Sequence, residues 1–143
     1  MNKASPDASN NPGDNRTPFD GTLLSASLTV KDLPSSLAWY RDVLGFSVDR
    51  TFDRGGEMFA ASLRGGTIPI LLTQDDGVQG LDRKKGAGIS LRLTTRQNID
   101  DLGAHVRTMG MAFETEPMDM RGVRMFRLRD LDGFLLVISS EQV

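Results

Sequence analysis

His105 is the only histidine in the 143-residue chain, and there is no cysteine. The missing cysteine removes disulfides, thiolate metal sites, iron–sulfur clusters and cysteine nucleophiles together. One histidine excludes any site that needs two imidazoles from a single chain. Carboxylates and arginines remain. Glu57 heads a strand-like run, and Glu114, Glu116 and Asp119 sit together in ETEPMD. Paired carboxylates can act as acid and base, or hold a cation, when their environments separate their pKa values. No fixed spacing demands that here, and solvated loop charges account for them. Arg124, Arg127 and Arg129 share the run VRMFRLR, with Arg127 and Arg129 alternating with Phe126 and Leu128. They can face an anionic ligand or pair across strands at a solvated edge, and Arg92 belongs to the same argument.

Composition narrows the setting. Hydrophobic residues at 38% and charged residues at 25% describe a globular chain of one domain, or two small halves sharing a core. A net charge of -2 argues against nucleic acid as partner. No apolar run approaches the roughly 20 residues of a membrane span. The opening MNKASPDASNNPGDNRTPFD lacks the apolar stretch of a secretory signal, so the cytoplasm is expected. Its composition cannot repay backbone ordering, so residues 1–21 are expected to form a flexible polar tail.

Periodicity then supplies the elements. Residues 22–30 read as a strand. Leu33, Leu37, Tyr40, Val43 and Leu44 recur at helical spacing, with Asp32 as N-cap, Pro34 in the first turn and Gly45 just past the end. Trp39 and Tyr40 point about 100° apart on that helix, which suits packing better than a stacking platform. Three strands follow, over 46–52, 57–63 and 67–73, although Pro69 objects to a place in a sheet interior. A polar stretch over 74–85 reads as a solvated linker, Asp82 to Lys85 included. The order then repeats: a strand over 88–93, a helix with Ile99, Leu102, Val106 and Met109 on one stripe, and strands over 111–115, 123–129 and 134–139. Ser27-Leu28-Thr29-Val30 overlays Ser90-Leu91-Arg92-Leu93, and Gly66 overlays Gly133. Such a repeat implies two similar modules sharing a core.

The segment SASLTVKDLPSSLAWYRDVLGF resembles the opening module of the vicinal oxygen chelate superfamily. That group includes glyoxalase I, bleomycin-resistance proteins, fosfomycin-resistance proteins and extradiol dioxygenases. The shared pattern is Val30 and Asp32, Ser36, Trp39-Tyr40 and Leu44-Gly45-Phe46. The closing GVRMFRLRDLDGFLLVIS is similar to the family's last hairpin, with Leu131 where Asp-Pro-Asp-Gly has proline. The resemblance spans residues 22–140 and implies an α+β fold. It consists of two tandem βαβββ modules, about 22–74 and 86–140, curling around a shared cavity with helices outside. On such a helix His105 is a partly exposed residue rather than a general base. A homodimer is implied by the same resemblance.

In the family's enzymes a divalent metal is held by His, Glu or Gln on the first and last strands of each module. Carried over, those positions fall on Ser25, Ile70 (Leu71 if the register slips by one), Gly88 and Val137. None is an ordinary metal ligand, so no metal and no cofactor are expected. The cavity lining is then expected from Ser25, Ser27, Met58, Ala60, Ile70, Gly88, Ser90, Arg92, Met125, Arg127 and Val137. Methionines in that set, together with Met118 and Met120, suit a greasy ligand pocket as well as core filling. Three functions stay open: a non-enzymatic small-molecule binding protein that sequesters an antibiotic or apolar metabolite; a lyase- or dioxygenase-like enzyme with a noncanonical or subunit-shared metal site; and a fold-only accessory subunit. The loss of ligand residues leans away from an enzyme.

Overall fold

The computed structural model describes Gly13 and residues 15–142. Most of the expected tail therefore lies outside the described residues. The chain forms β1 (Ala26–Val30), α1 (Leu33–Leu44), β2 (Ser47–Arg54), β3 (Glu57–Gly65) and β4 (Ile68–Gln74). The same order follows as β5 (Ser90–Thr95), α2 (Ile99–Thr108), β6 (Thr115–Met120), β7 (Val123–Arg129) and β8 (Leu135–Ser140). These are two βαβββ modules, each with one four-stranded mixed sheet, ordered β1-β4-β3-β2 and β5-β8-β7-β6. No described helix is long and apolar enough to cross a membrane.

Local chemistry sets the helix ends. The Asp32 carboxylate accepts from the Ser35 backbone N–H at 3.2 Å, and Asn98 does the same for α2 through Asp101. Gly45 closes α1 at φ 76, a left-handed conformation that glycine adopts without steric cost.

Two sequence expectations need revision. The strand expected over 111–115 begins only at Thr115 and runs through ETEPMD to Met120. Pro117 makes that segment look like a turn, but β6 is an edge strand, and its register shifts between Thr115 and Met118. An edge strand with an irregularity is where proline is tolerated. Pro69 is accommodated differently. It pairs with Arg64 at the start of β4, before that strand meets β1 at Ile70.

Alternation along each strand puts one face against a helix. Leu28, Val30, Leu63 and Leu72 of the first sheet join Leu33, Tyr40 and Val43 of α1. Leu93, Phe126, Leu128, Leu136 and Ile138 of the second join Ile99 and Val106 of α2. All belong to one buried cluster, so the modules share a core. The helices meet where they join. Trp39 Nε1 donates to Met111 Sδ at 3.3 Å, and His105 Nε2 lies 2.8 Å from the Asp42 carbonyl oxygen.

The Asp130-Leu131-Asp132-Gly133 turn fastens the modules further. Tyr40 donates its hydroxyl to Asp130 Oδ2 at 2.5 Å, and the Lys31 N–H donates to Asp132 Oδ1 at 2.8 Å. The linker is also tied in. Lys85, with a side chain only 4% exposed, sits 3.0 Å from Asp75 Oδ2 and 3.5 Å from Asp132 Oδ1. The solvated-linker reading holds for Asp82, Arg83 and Lys84, which are exposed, and fails for Lys85.

Candidate ligand site

With one face of each sheet committed to the core, the opposite faces remain open. On the first sheet the open face carries Ser27 and Thr29 from β1, Leu71 and Thr73 from β4, and Ala60 and Ser62 from β3. On the second it carries Ser90, Arg92 and Thr94 from β5, Leu135, Val137 and Ser139 from β8, and Met125, Arg127 and Arg129 from β7. Ser27, Ser90, Arg92 and Thr94 are exposed, while Ala60, Met125, Val137 and Ser139 are buried without belonging to the shared core cluster. Both faces therefore mix hydroxyls, small apolar groups and methionine. On the second, two of the three rows carry arginines, Arg92 with Arg127 and Arg129.

The expected site residues are placed unevenly. Ser27, Ala60, Ser90, Arg92, Met125, Arg127 and Val137 lie on the open faces. Met58 lies on β3, two residues from Ala60, and packs partly against the core. Ile70 is a correction: it is 2% exposed in the shared core, on the helix side of β4 with Leu63 and Leu72. Leu71, the position reached if the register slips by one, lies on the open face. Ser25 sits just before β1, and Gly88 lies in a turn before β5 at φ 76 rather than on the strand.

The space lined by both modules has other walls. A groove of about 980 Å³ lies between the end of α1, the β3–β4 turn, the end of β5 and α2. Val43, Phe46, Ile68, Leu93, Leu102 and Val106 give it an apolar floor, and Thr95, Arg96, Gln97, His105 and Glu141 rim it. None of the expected lining residues borders it. Sequence periodicity could have placed its floor on helix stripes, but nothing in the sequence marks the gap between two modules.

A family model described as Glyoxalase/Bleomycin resistance protein/Dioxygenase superfamily matches residues 22–138. The chain belongs to this superfamily. Solved structures agree on the fold. An integron cassette protein from the mobile metagenome of V. cholerae superposes with a TM-score of 0.67 at 23% identity, over 88% of this chain and 100% of that one. TioX from Micromonospora sp. ML1 gives 0.65 at 18%, over 85% and 98%. The genomically encoded fosfomycin resistance protein FosX from Listeria monocytogenes gives 0.67 at 13%, over 87% and 97%. At these identities the likeness concerns the fold. No curated protein matches the chain.

The metal that the superfamily's enzymes hold does not fit these residues. The positions that the resemblance assigns to it carry Ser25, Ile70 or Leu71, Gly88 and Val137: a neutral hydroxyl, two aliphatic groups and no side chain. Such a set offers no nitrogen, thiolate or carboxylate donor. Among the described residues no three of His, Cys, Asp and Glu come together as a metal-holding group. The buried carboxylates are engaged otherwise, Asp130 by Tyr40 and Asp75 by Lys85, Arg83 and the Gly77 N–H.

Proposed function

We propose that this chain is a small-molecule binding protein of the glyoxalase/bleomycin-resistance type, working without the superfamily's metal and sequestering an antibiotic or a metabolite with a largely apolar body. One observation supports this reading: the positions that the resemblance assigns to metal ligands hold Ser25, Ile70 or Leu71, Gly88 and Val137, in a chain that keeps the superfamily's fold. The open faces support it, because small-molecule sites are predominantly apolar with a few placed polar groups. Leu71, Ala60, Met125 and Val137 supply the first. Ser27, Thr29, Thr73 and Ser90 supply the second.

The binding unit on this reading is a homodimer. β1 and β5 are both edge strands with unpaired backbone on one side, a configuration proteins normally cover or blunt. The entry to each edge carries exposed apolar side chains, Leu23 (75%) and Leu24 (94%) before β1 and Ile89 (54%) before β5. A second copy laid along these edges would cover them and enclose the open faces.

Thermal unfolding of the purified protein against a panel of antibiotics and aromatic metabolites tests the reading. A genuine ligand at 100 times its dissociation constant stabilises by about 2.7 kcal/mol. Ser27→Trp and Ser90→Trp, at exposed positions, should abolish that shift without changing the unliganded transition. A ligand bound equally by both variants would place the site elsewhere, and a panel without any saturable shift would overturn the reading.

A further inference from the structure

The open face of the second sheet carries a charge pattern that the first lacks. On β5, Leu91 and Leu93 pack toward the core, so Arg92 projects from the other side. On β7, Arg127 stands between the fully buried Phe126 and Leu128. On β8, Val137 stands between the core residues Leu136 and Ile138. The register brings these three into one row: Arg92 pairs with Val137, and Val137 pairs with Arg127. Two guanidinium-bearing side chains thus flank Val137 from neighbouring strands, with backbones about 9.5 Å apart at normal strand spacing. Val137 is also a position that the resemblance assigns to a metal ligand.

Neither arginine is paired with a carboxylate among the described residues. Arg96, Arg107, Arg124 and Arg129 each pair with a carboxylate. Arg92 has no ion pair or hydrogen bond among the described residues, and the one polar contact of Arg127 is Met120 Sδ at 3.9 Å. The matching row on the first sheet is Thr29, Thr73 and Ala60, uncharged, with the two threonine hydroxyls 3.4 Å apart. Two arginines without a carboxylate partner therefore share one row only on the second sheet, through Val137.

We propose that Arg92 and Arg127 form an oxyanion seat over Val137, taking a carboxylate or phosphate-type group of the bound small molecule. This rests on the small-molecule reading above. A planar guanidinium fork matches both groups through two parallel N–H donors, which a lysine ammonium does not. Val137 contributes an apolar floor that leaves the anion's oxygens to the arginines. The same two charges repel a divalent cation, so the row suits an anion rather than a metal. The ligand class is an organic anion: an acidic head on this row and an apolar body along the rest of the face.

Calorimetric titration at low salt with 2-naphthoate against 2-naphthamide, and naphthyl phosphate against naphthol, tests this. The wild-type protein should bind the charged member of a pair at least tenfold more tightly. Arg92→Gln and Arg127→Gln should each erase most of that preference while leaving the neutral member's affinity and the thermal transition unchanged. Preference within the first pair assigns a carboxylate, and within the second a phosphate-type group. Equal binding of charged and neutral members, or a preference that survives both substitutions, overturns the oxyanion seat and leaves the small-molecule reading intact. Binding of no probe in either pair, together with a silent ligand panel, removes both.

Discussion

Tyr40 and Asp130 meet inside the protein, 2.5 Å apart and joining the first helix to the last hairpin. Burial pushes the Asp130 carboxyl above the usual carboxylate range, while the Tyr40 hydroxyl and the N–H groups of Phe134 and Asp132 pull it back. Burial and the nearby Asp130 charge push the Tyr40 phenol upward, so it stays a neutral donor. Tyr40→Phe removes one donor from a buried acceptor and should cost about 1–3 kcal/mol in chemical denaturation near neutral pH. The variant's Asp130 titrates higher still. A group whose folded pKa is raised favours the folded state below its unfolded pKa and loses that contribution as pH rises through the folded value. The deficit of Tyr40→Phe should therefore shrink on acidification, which stability curves at neutral and acid pH would show. An equal deficit at both would mean that the lost hydroxyl acts through packing alone. The sequence indicated that Trp39 and Tyr40 pack rather than stack on a ligand. It could not reveal Asp130 as the partner, because helical periodicity identifies a buried face and not the group that closes it from 90 positions away.

At the scale of elements, caps and turns were the most legible features. Asp32, Gly45 and the repeat of two helices and eight strands, β6 apart, follow from side-chain chemistry over a few residues. β6 was displaced because Pro117 and its acidic neighbours suit a turn equally well, and only sheet position decides between them. Lys85 was read as solvent-exposed because its neighbours are. Its burial depends on Asp75 and Asp132, which arrive from different parts of the chain. Lys85→Met leaves two buried carboxylates without their shared cation and should lower the unfolding midpoint far more than Lys31→Met, which breaks only an exposed pair with Asp82. Comparable effects would show that the linker is not held by this ion pair. Asp75 is held below the usual carboxylate range, chiefly by the Gly77 N–H and then by Lys85. Its contribution is present above the unfolded pKa and fades as pH falls through the folded one. Two glycines distinguish backbone strain from crowding. At Gly45 a Cβ meets nothing within 4 Å, so Gly45→Ala should cost about 1–2 kcal/mol from the positive φ alone. At Gly86 a Cβ would also stand 2.9 Å from the Gly133 carbonyl oxygen, so Gly86→Ala should be the more damaging change by thermal unfolding.

At the scale of the whole molecule, the repeat and its shared core were legible because hydrophobic stripes recur in the same order twice. Which sheet faces stay open, and which walls the modules share, depend on how two similar units dock. No local pattern encodes that. The unpaired edges of β1 and β5, with Leu24 and Ile89 beside them, predict a dimer in sedimentation velocity that Leu24→Asp or Ile89→Asp shifts toward monomer. A wild-type monomer at micromolar concentration would contradict the dimer. The central proposal is that the superfamily's fold here binds a small molecule without a metal, the positions that the resemblance assigns to metal ligands holding Ser25, Ile70 or Leu71, Gly88 and Val137. The most direct measurement is the ligand-induced rise in unfolding temperature, taken after exhaustive chelation and again after adding zinc, manganese or iron. The account predicts a saturable shift in the chelated protein that added metal leaves unchanged. A shift that vanishes on chelation and returns with one metal ion per site would contradict it.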